Sequence, residues 1–344
     1  MSVSRKPVAA KKPANGAPAM LRITPALKAR VRAFKGVPVA VWGDLVLDRF
    51  QHGTIHRLSR EAPVPIIEKD STQEIPGGGG NALMNLVALG ARASVYSLTG
   101  NDEAGATLLR IFKTAGVSVR HLAVVKGHET ASKTRILAAA LNAPRQQLAR
   151  VDAGRPYRGP LAAHLGAQLR RDAKTFRAIV ISDYGYGAVS PAVFSAAPWP
   201  CFTAIDSRYD FLRFRGATTA TPNETELYEA LDIHLREGER GEARIDDAAK
   251  NFRTACTLEA LLVTRGGRGS SLFMADGRHD VGVYGGEVAD VTGAGDTVIA
   301  TVTLARATGA TWPVAQQLAG IAAGLKVAKR GTATVSAEEL QAAI

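Results

Sequence analysis

Cysteine is nearly missing: Cys201 and Cys256 are the only two in 344 residues, far apart and outside any CxxC or Cys/His spacing. That argues against a disulfide framework and a thiolate zinc site, and it matches a reducing cytoplasm. Seven histidines occur without an HExxH-type spacing, so no histidine metal centre is indicated. Also absent is any stretch near the ~18 uninterrupted apolar residues that a spanning helix requires. Arg306 breaks the most apolar candidate, TVIATVTLARATG, and a soluble chain with no membrane partner is expected. Acidic residues are missing from positions 1–36, whose nine Lys and Arg leave only +3 of the +12 net charge for the rest of the chain. A basic excess confined to one Ala/Pro/Lys-rich leader argues against a nucleic-acid partner for the body. Residues 1–20 also lack the apolar core of a secretory signal. They are expected to form a disordered leader, or to lie ahead of a true start at Met20.

What the chain does have is an ordinary globular balance, 46% apolar and 22% charged. Apolar runs at VPVAVWGD, SVYSLTG, AIVISDYG, FTAID, TTATPN and LEALLVTRGG alternate with helical patterns such as NALMNLVALG, EAGATLLRIFKTAG and PLAAHLGAQLRRDAKTF. That rhythm predicts one α/β domain over residues 21–344, a doubly wound, mostly parallel sheet flanked by helices. Two segments, 48–76 and 117–152, interrupt it with the strand-like pieces APVPIIEK, SVRHLAVV, KTRILAAAL and QQLARVD, and are expected to form a small β lid.

Polar residues close four of the expected strands: Asp44, Asp183, Asp206 and Asn223. In an open parallel sheet the ligand crevice lies at that edge. GGGGN at 77–81 opens a helical pattern, so it offers bare amides to a ligand or is a flexible turn with Asn81 as cap. It fits neither GxGxxG nor GxxxxGK[ST]. Lys133 and Arg135 in ASKTRIL share one strand face, where they grip a phosphate or simply face solvent. In TPNETE, Asn223 and Glu226 lie three apart at a helix start, as a capping box or as water-mediated holders of Mg2+. DVTGAGDT at 290–297 is the sharpest element. Its amides at Gly293, Ala294 and Gly295 suit an anionic oxygen at a helix start, and Asp296 beside them suits a general base.

In their order along the chain, GGGGN, TPNETE, TRGGRG at 264–269 and DVTGAGDT resemble the ribokinase-like (PfkB) carbohydrate kinases over residues 37–336. Within that family, GDLVLDRFQHGTIHRLSREAPVPII, KTRI, QQLARVD, SDYGYG, RFRGATTATPN and GTATVS are similar to the heptose 7-phosphate kinase half of bifunctional heptose kinase/ADP-heptose synthases. The resemblance implies an ATP- and Mg2+-dependent phosphotransferase acting on D-glycero-β-D-manno-heptose 7-phosphate. Asp296 is implied as the base, with Gly293, Ala294 and Gly295 as the anion hole. Asn223 and Glu226, with Glu224 and Thr225, are implied at the metal and phosphates, and Thr264, Gly266, Gly269 and Gly324 around the nucleotide. Asp44, Asp48, Gly77, Gly78 and Asn81 are implied on the sugar hydroxyls, and Lys133 and Arg135 on the 7-phosphate. A homodimer is likewise implied, because β lids in this family often pair. The chain departs from the heptose pattern at Tyr186, where a lysine is usual, and at Asp206-Ser207-Arg208-Tyr209, where a DPKG-like turn is usual. No room for the second, nucleotidyltransferase half is expected, so another enzyme would activate the product. The rival readings are a PfkB-family kinase for another sugar, a non-catalytic binding protein, and a nucleic-acid binder working through the leader.

Overall fold

The computed structural model describes residues 25–140, 144–234, 242, 244–286, 288–329 and 331–344. Residues 1–20, expected as a leader, lie outside them. The strands are β1 (Pro38–Gly43), β2 (Leu45–Leu58), β3 (Pro65–Gly78), β4 (Arg92–Gly100), β5 (Ser118–Val125), β6 (Ser132–Ala140), β7 (Gln146–Ala153), β8 (Ala178–Asp183), β9 (Phe202–Ser207), β10 (Thr219–Ala220), β11 (Ala260–Thr264), β12 (Ser270–Met274) and β13 (Gly277–Val281). The helices are α1 (Pro25–Arg32), α2 (Gly79–Ala88), α3 (Glu103–Thr114), α4 (Leu161–Asp172), α5 (Pro191–Ser195), α6 (Glu224–Ala230), α7 (Ile245–Cys256), α8 (Ala294–Ala307), α9 (Trp312–Val327) and α10 (Ala337–Ala343).

Nine strands form one sheet in the order β13-β12-β11-β10-β9-β8-β1-β4-β5. Every pairing from β5 to β11 is parallel, and only the β11–β12 and β12–β13 pairings at the far edge are antiparallel. The expected doubly wound fold is therefore present, and β1 shows why the sequence produces it. Val39 and Val41 pack into one apolar layer with residues of α2, α8 and α9, while Ala40 and Trp42 pack into the other with residues of α4 and α7. A strand buried on both faces must be apolar at every position, as PVAVWG is. The chain runs outward from β1 to β4 and β5 on one side, then restarts at β8 and runs through β9 to β11 on the other. The carboxyl ends of β1 and β8 thus flank a switch point, where such sheets open a ligand crevice.

A second sheet of four strands, ordered β3-β2-β6-β7, stands apart as the small β layer. β2 pairs antiparallel with β3 and parallel with β6, which pairs antiparallel with β7. One expectation is corrected here. SVRHLAVV, assigned by its pattern to the lid, is β5 and pairs parallel with β4 at the edge of the main sheet. An edge strand is covered incompletely, so its half-buried alternation looks like that of a lid strand. No helix among the described residues is long and apolar enough to cross a membrane.

Candidate active site

The site is built at the head of α8. Gly293 caps that helix with φ 79° and ψ 9°, a left-handed conformation that favours glycine. A Cβ there would also lie 2.5 Å from the side-chain nitrogen of Asn81, so glycine is required twice over. One residue into the helix, a Cβ on Gly295 would meet nothing within 4 Å, which leaves the first-turn amides approachable. Asp296 follows, 8% exposed, and accepts a hydrogen bond from Asn81 Nδ2 at 2.6 Å. Burial pushes its carboxyl up to about 7, while the bonds from Asn81 and the Tyr184 hydroxyl pull the other way. A carboxylate titrating near neutrality is matched to general-base work at physiological pH.

The GGGGN turn supplies the other wall. α2 begins at Gly79 and carries Asn81 and Asn85 four apart on one face. Asn85 Nδ2 donates to Asn81 Oδ1 at 3.2 Å, and Asn85 Oδ1 accepts from the Thr297 hydroxyl at 2.9 Å. The heads of α2 and α8 are therefore laced by side chains running from Thr297 through Asn85 and Asn81 to Asp296. Gly77 lies against the carboxylate of Asp48, and that residue accepts from Arg135 Nη1 at 2.5 Å. The Arg135 guanidinium also sits 5.0 Å over the Phe50 ring. Lys133 lies beside Asp48 across the parallel β2–β6 pair and opposite Asp152 on β7. It has no hydrogen-bond or ion-pair partner among the described residues.

A second group of acids faces the same centre. Tyr184 donates to Asp206 Oδ2 at 3.3 Å and lies 3.5 Å from Asp296 Oδ1. Burial first, then the charges of Asp296 and Glu226, raise Asp206 well above the ordinary carboxylate range. Burial and the same neighbours hold Tyr184 well above the ordinary phenol range, so its hydroxyl stays a donor. Asn223 and Glu226 form a reciprocal capping box at the head of α6, each backbone N–H donating to the other side chain at 2.9 Å. The remaining oxygen of Glu226 accepts from Arg208 Nη1 at 3.2 Å.

Several expected site residues have other tasks in this structure. Both oxygens of Asp44, expected on the sugar, are taken by backbone amides: Oδ2 by Tyr184 at 2.8 Å and Tyr186 at 2.9 Å, Oδ1 by Ala188 at 2.7 Å. It organises the loop after β8 from behind, because a 1%-exposed carboxylate must find donors. Glu224 is drawn into ion pairs with Arg265, at 3.0 Å, and Arg268. Thr225 is exposed. Thr264 bridges Asn223 beside the turn containing Gly266 and Gly269. The latter packs against the Val281 carbonyl, and Gly324 packs directly on the Tyr284 carbonyl. Gly78 packs against the backbone of Asp44.

Sequence reasoning singled out neither Tyr184 nor the Asn85–Thr297 link. The signal for Asn85 was the i, i+4 spacing in NALMN. Tyr184 sits inside SDYGYG, but only the meeting of β8 with α8 brings it to Asp296.

The sequence pattern of the pfkB family carbohydrate kinases matches residues 39–146 and 202–340. The bifunctional protein HldE of Pseudomonas syringae pv. syringae (strain B728a) is 39% identical over 324 residues, covering 92% of this chain and 66% of that protein. The chain thus spans about two thirds of that relative's length. Among solved structures, Arabidopsis thaliana ribokinase complexed with ribose and ATP superposes with a TM-score of 0.66 at 17% identity, over 90% of this chain and 98% of that one. Escherichia coli phosphofructokinase-2 in complex with substrates and products gives 0.70 at 18% identity, over 89% and 97%. These structures share the fold, and the sequence match supplies the rest: the chain belongs to the pfkB family of carbohydrate kinases and is a phosphotransferase.

Proposed function

We propose that the chain transfers the γ-phosphoryl group of ATP to the anomeric hydroxyl of D-glycero-β-D-manno-heptose 7-phosphate. The product is the 1,7-bisphosphate, a precursor of ADP-heptose for the lipopolysaccharide core. The observation that carries the chemistry is Asp296, a buried carboxylate at about 7 whose Oδ2 is held by Asn81 at the head of a helix. In the reaction, Asp296 takes the proton of the sugar hydroxyl. The sugar oxygen forms a bond to Pγ, the bond from Pγ to the bridging oxygen breaks, and ADP leaves with that electron pair. The amides of Gly293, Ala294 and Gly295 and the positive end of α8 receive the charge on the transferring group. Tyr184 remains protonated and orients the carboxylate.

The residues present fit Mg2+, which keeps most of its water and needs one or two carboxylates. Among the described residues no group of three or more His, Cys, Asp or Glu is placed to enclose a metal directly. Asp206, Glu226 and Asp296 nevertheless repel one another strongly enough to help raise Asp206, a donor set that a divalent cation would relieve. Glu226 and Asn223, with Asp206, would hold the ion through water, and it would neutralise the phosphate oxygens when bound.

For the sugar, support comes from the likeness to the heptose kinases and from the lid. Lys133, which has no hydrogen-bond or ion-pair partner among the described residues, stands beside the Asp48–Arg135 pair, and this supports a role in holding a second phosphate. Exposed apolar residues on the lid, such as Leu58, Ile66 and Val151, support pairing with a second copy, and the cytoplasm is the proposed location. A panel of sugars and sugar phosphates assayed by ADP release tests the reading. Turnover with the heptose phosphate is expected; turnover only with another sugar would overturn the specificity and leave the family standing. Tyr186 and Arg208 favour that second outcome most, since they stand where the heptose pattern has lysines.

A further inference from the structure

Lys326 is the only lysine among the described residues that is fully buried, at 0% exposure. It lies one residue before the end of α9, and its ammonium donates to the backbone carbonyl of Asp290 at 3.1 Å. That carbonyl belongs to the first residue of DVTGAGDT. The surrounding bonds stitch the same segment to the end of α9. The amides of Ala289 and Asp290 donate to the Val327 carbonyl at 2.7 and 3.0 Å. The Asp290 carboxylate accepts from the amides of Thr292 at 2.8 Å and Gly331 at 2.9 Å. The charges facing the ammonium are Asp290 and Asp296, which favour it, and Lys329, which opposes it along with burial.

Burying an ammonium is costly, and a methionine would fill the same space without that cost. The charge therefore has an electrostatic task. An ammonium on a turn carbonyl occupies the position that a bound alkali ion takes, neutralising the carbonyl dipole and adding positive potential to whatever the turn encloses. Here the carbonyl belongs to the segment that leads directly into the proposed anion hole and Asp296.

We propose that Lys326 is a positioning residue that serves as a built-in monovalent cation. Its ammonium holds the Asp290 carbonyl, and through it the amides of Gly293 to Gly295, so that phosphoryl transfer needs no monovalent cation from solution. This rests on the reading of the α8 head as the reaction centre.

The test uses the full chain with ATP and the heptose phosphate, or whichever sugar the panel identifies, in N-methylglucamine buffer. Potassium or ammonium chloride is added at constant ionic strength. Wild type is expected to respond less than about twofold. Lys326→Ala is expected to lose roughly 10- to 100-fold in kcat with the KM for ATP little changed, the scale of losing part of an anion hole. Ammonium ion should restore several-fold of that loss. Lys326→Met should lose as much and recover nothing, because its side chain fills the space. Hydrogen exchange of the amides of residues 289–294 should accelerate in Lys326→Ala even if Asp296 is not the base, which separates failure of this proposal from failure of the site reading. Wild-type activation of several-fold by either cation, or Lys326→Ala at wild-type kcat with unchanged exchange, would overturn the proposal. If the variants do not fold, the wild-type salt response decides it.

Discussion

Asn81 donates its side-chain amide to Asp296 at 2.6 Å, and the direction of that bond is fixed from behind. Thr297 donates to Asn85, and Asn85 donates to Asn81 Oδ1, so only the nitrogen of Asn81 is left to face the carboxylate. The bond favours the charged form of Asp296 and opposes the effect of burial. Asn81→Leu should therefore move the acid limb of the pH–rate profile upward and lower kcat at pH 7 by about tenfold or more. A profile that keeps its limb while kcat falls would assign Asn81 to substrate contact alone.

As the proposed base, Asp296 should itself set that limb. Its carboxyl, ordinarily at 3.8, stands at about 7, so kcat/KM should fall below neutrality as the base is protonated. The stability effect has the opposite sign from that of an ion-paired carboxylate. Between those values the folded chain holds a proton that the unfolded chain has released, so stability declines as pH rises from about 4 to 7. Asp296→Asn should lose roughly 100- to 10,000-fold in kcat. It should also melt higher than wild type at pH 8, by up to about 4 kcal/mol on the scale of 1.36 kcal/mol per pKa unit. Calorimetry at pH 5 and pH 8 checks this, since the gain should fall to less than half at the lower pH.

Gly293→Ala tests the anion-hole geometry. A methyl group at that position faces both the left-handed φ and the Asn81 amide at 2.5 Å. The backbone strain alone costs about 1–3 kcal/mol. The larger effect should be on kcat, because Asn81 is displaced from Asp296. A variant that loses stability but keeps kcat would show that the turn tolerates the shift.

Lys133 should act on one end of the substrate only. Lys133→Met is expected to raise the KM for a phosphorylated sugar by roughly tenfold, and to leave the KM for ATP unchanged. Comparing each sugar with its phosphate in steady-state assays checks the assignment. Arg135→Met should be less clean, since it also leaves the buried Asp48 carboxylate without its partner.

The parallel sheet was legible because fully buried strands such as PVAVWG and AIVISD leave continuous apolar runs. The head of α8 was legible because glycines at a helix start beside an acid form a short local pattern. What stayed hidden depends on partners distant in sequence. The Asn223–Glu226 pair is drawn the same way by a capping box and by a metal site, and in the fold it makes the box. Tyr184 reaches Asp296 across 112 positions, and nothing local to SDYGYG announces that contact. SVRHLAVV was misplaced because half-burial looks alike at a sheet edge and in a lid.

Asp44 shows a related limit: a polar residue at a strand end marks the crevice edge, but not which way its carboxylate turns. It turns inward, onto the amides of Tyr184, Tyr186 and Ala188. Burial raises it to about 6 despite those three donors, so it too lowers stability as pH rises from about 4 to 6. Asp44→Asn removes that dependence but places an amide donor against one or two amide donors, whichever way it flips. The unsatisfied groups should cost about 1–3 kcal/mol each. Because the loop they hold carries Tyr184 to the reaction centre, kcat should fall with stability while the KM for the sugar changes little. A residue that touched the sugar directly would show the reverse, a raised KM in a chain of normal melting temperature.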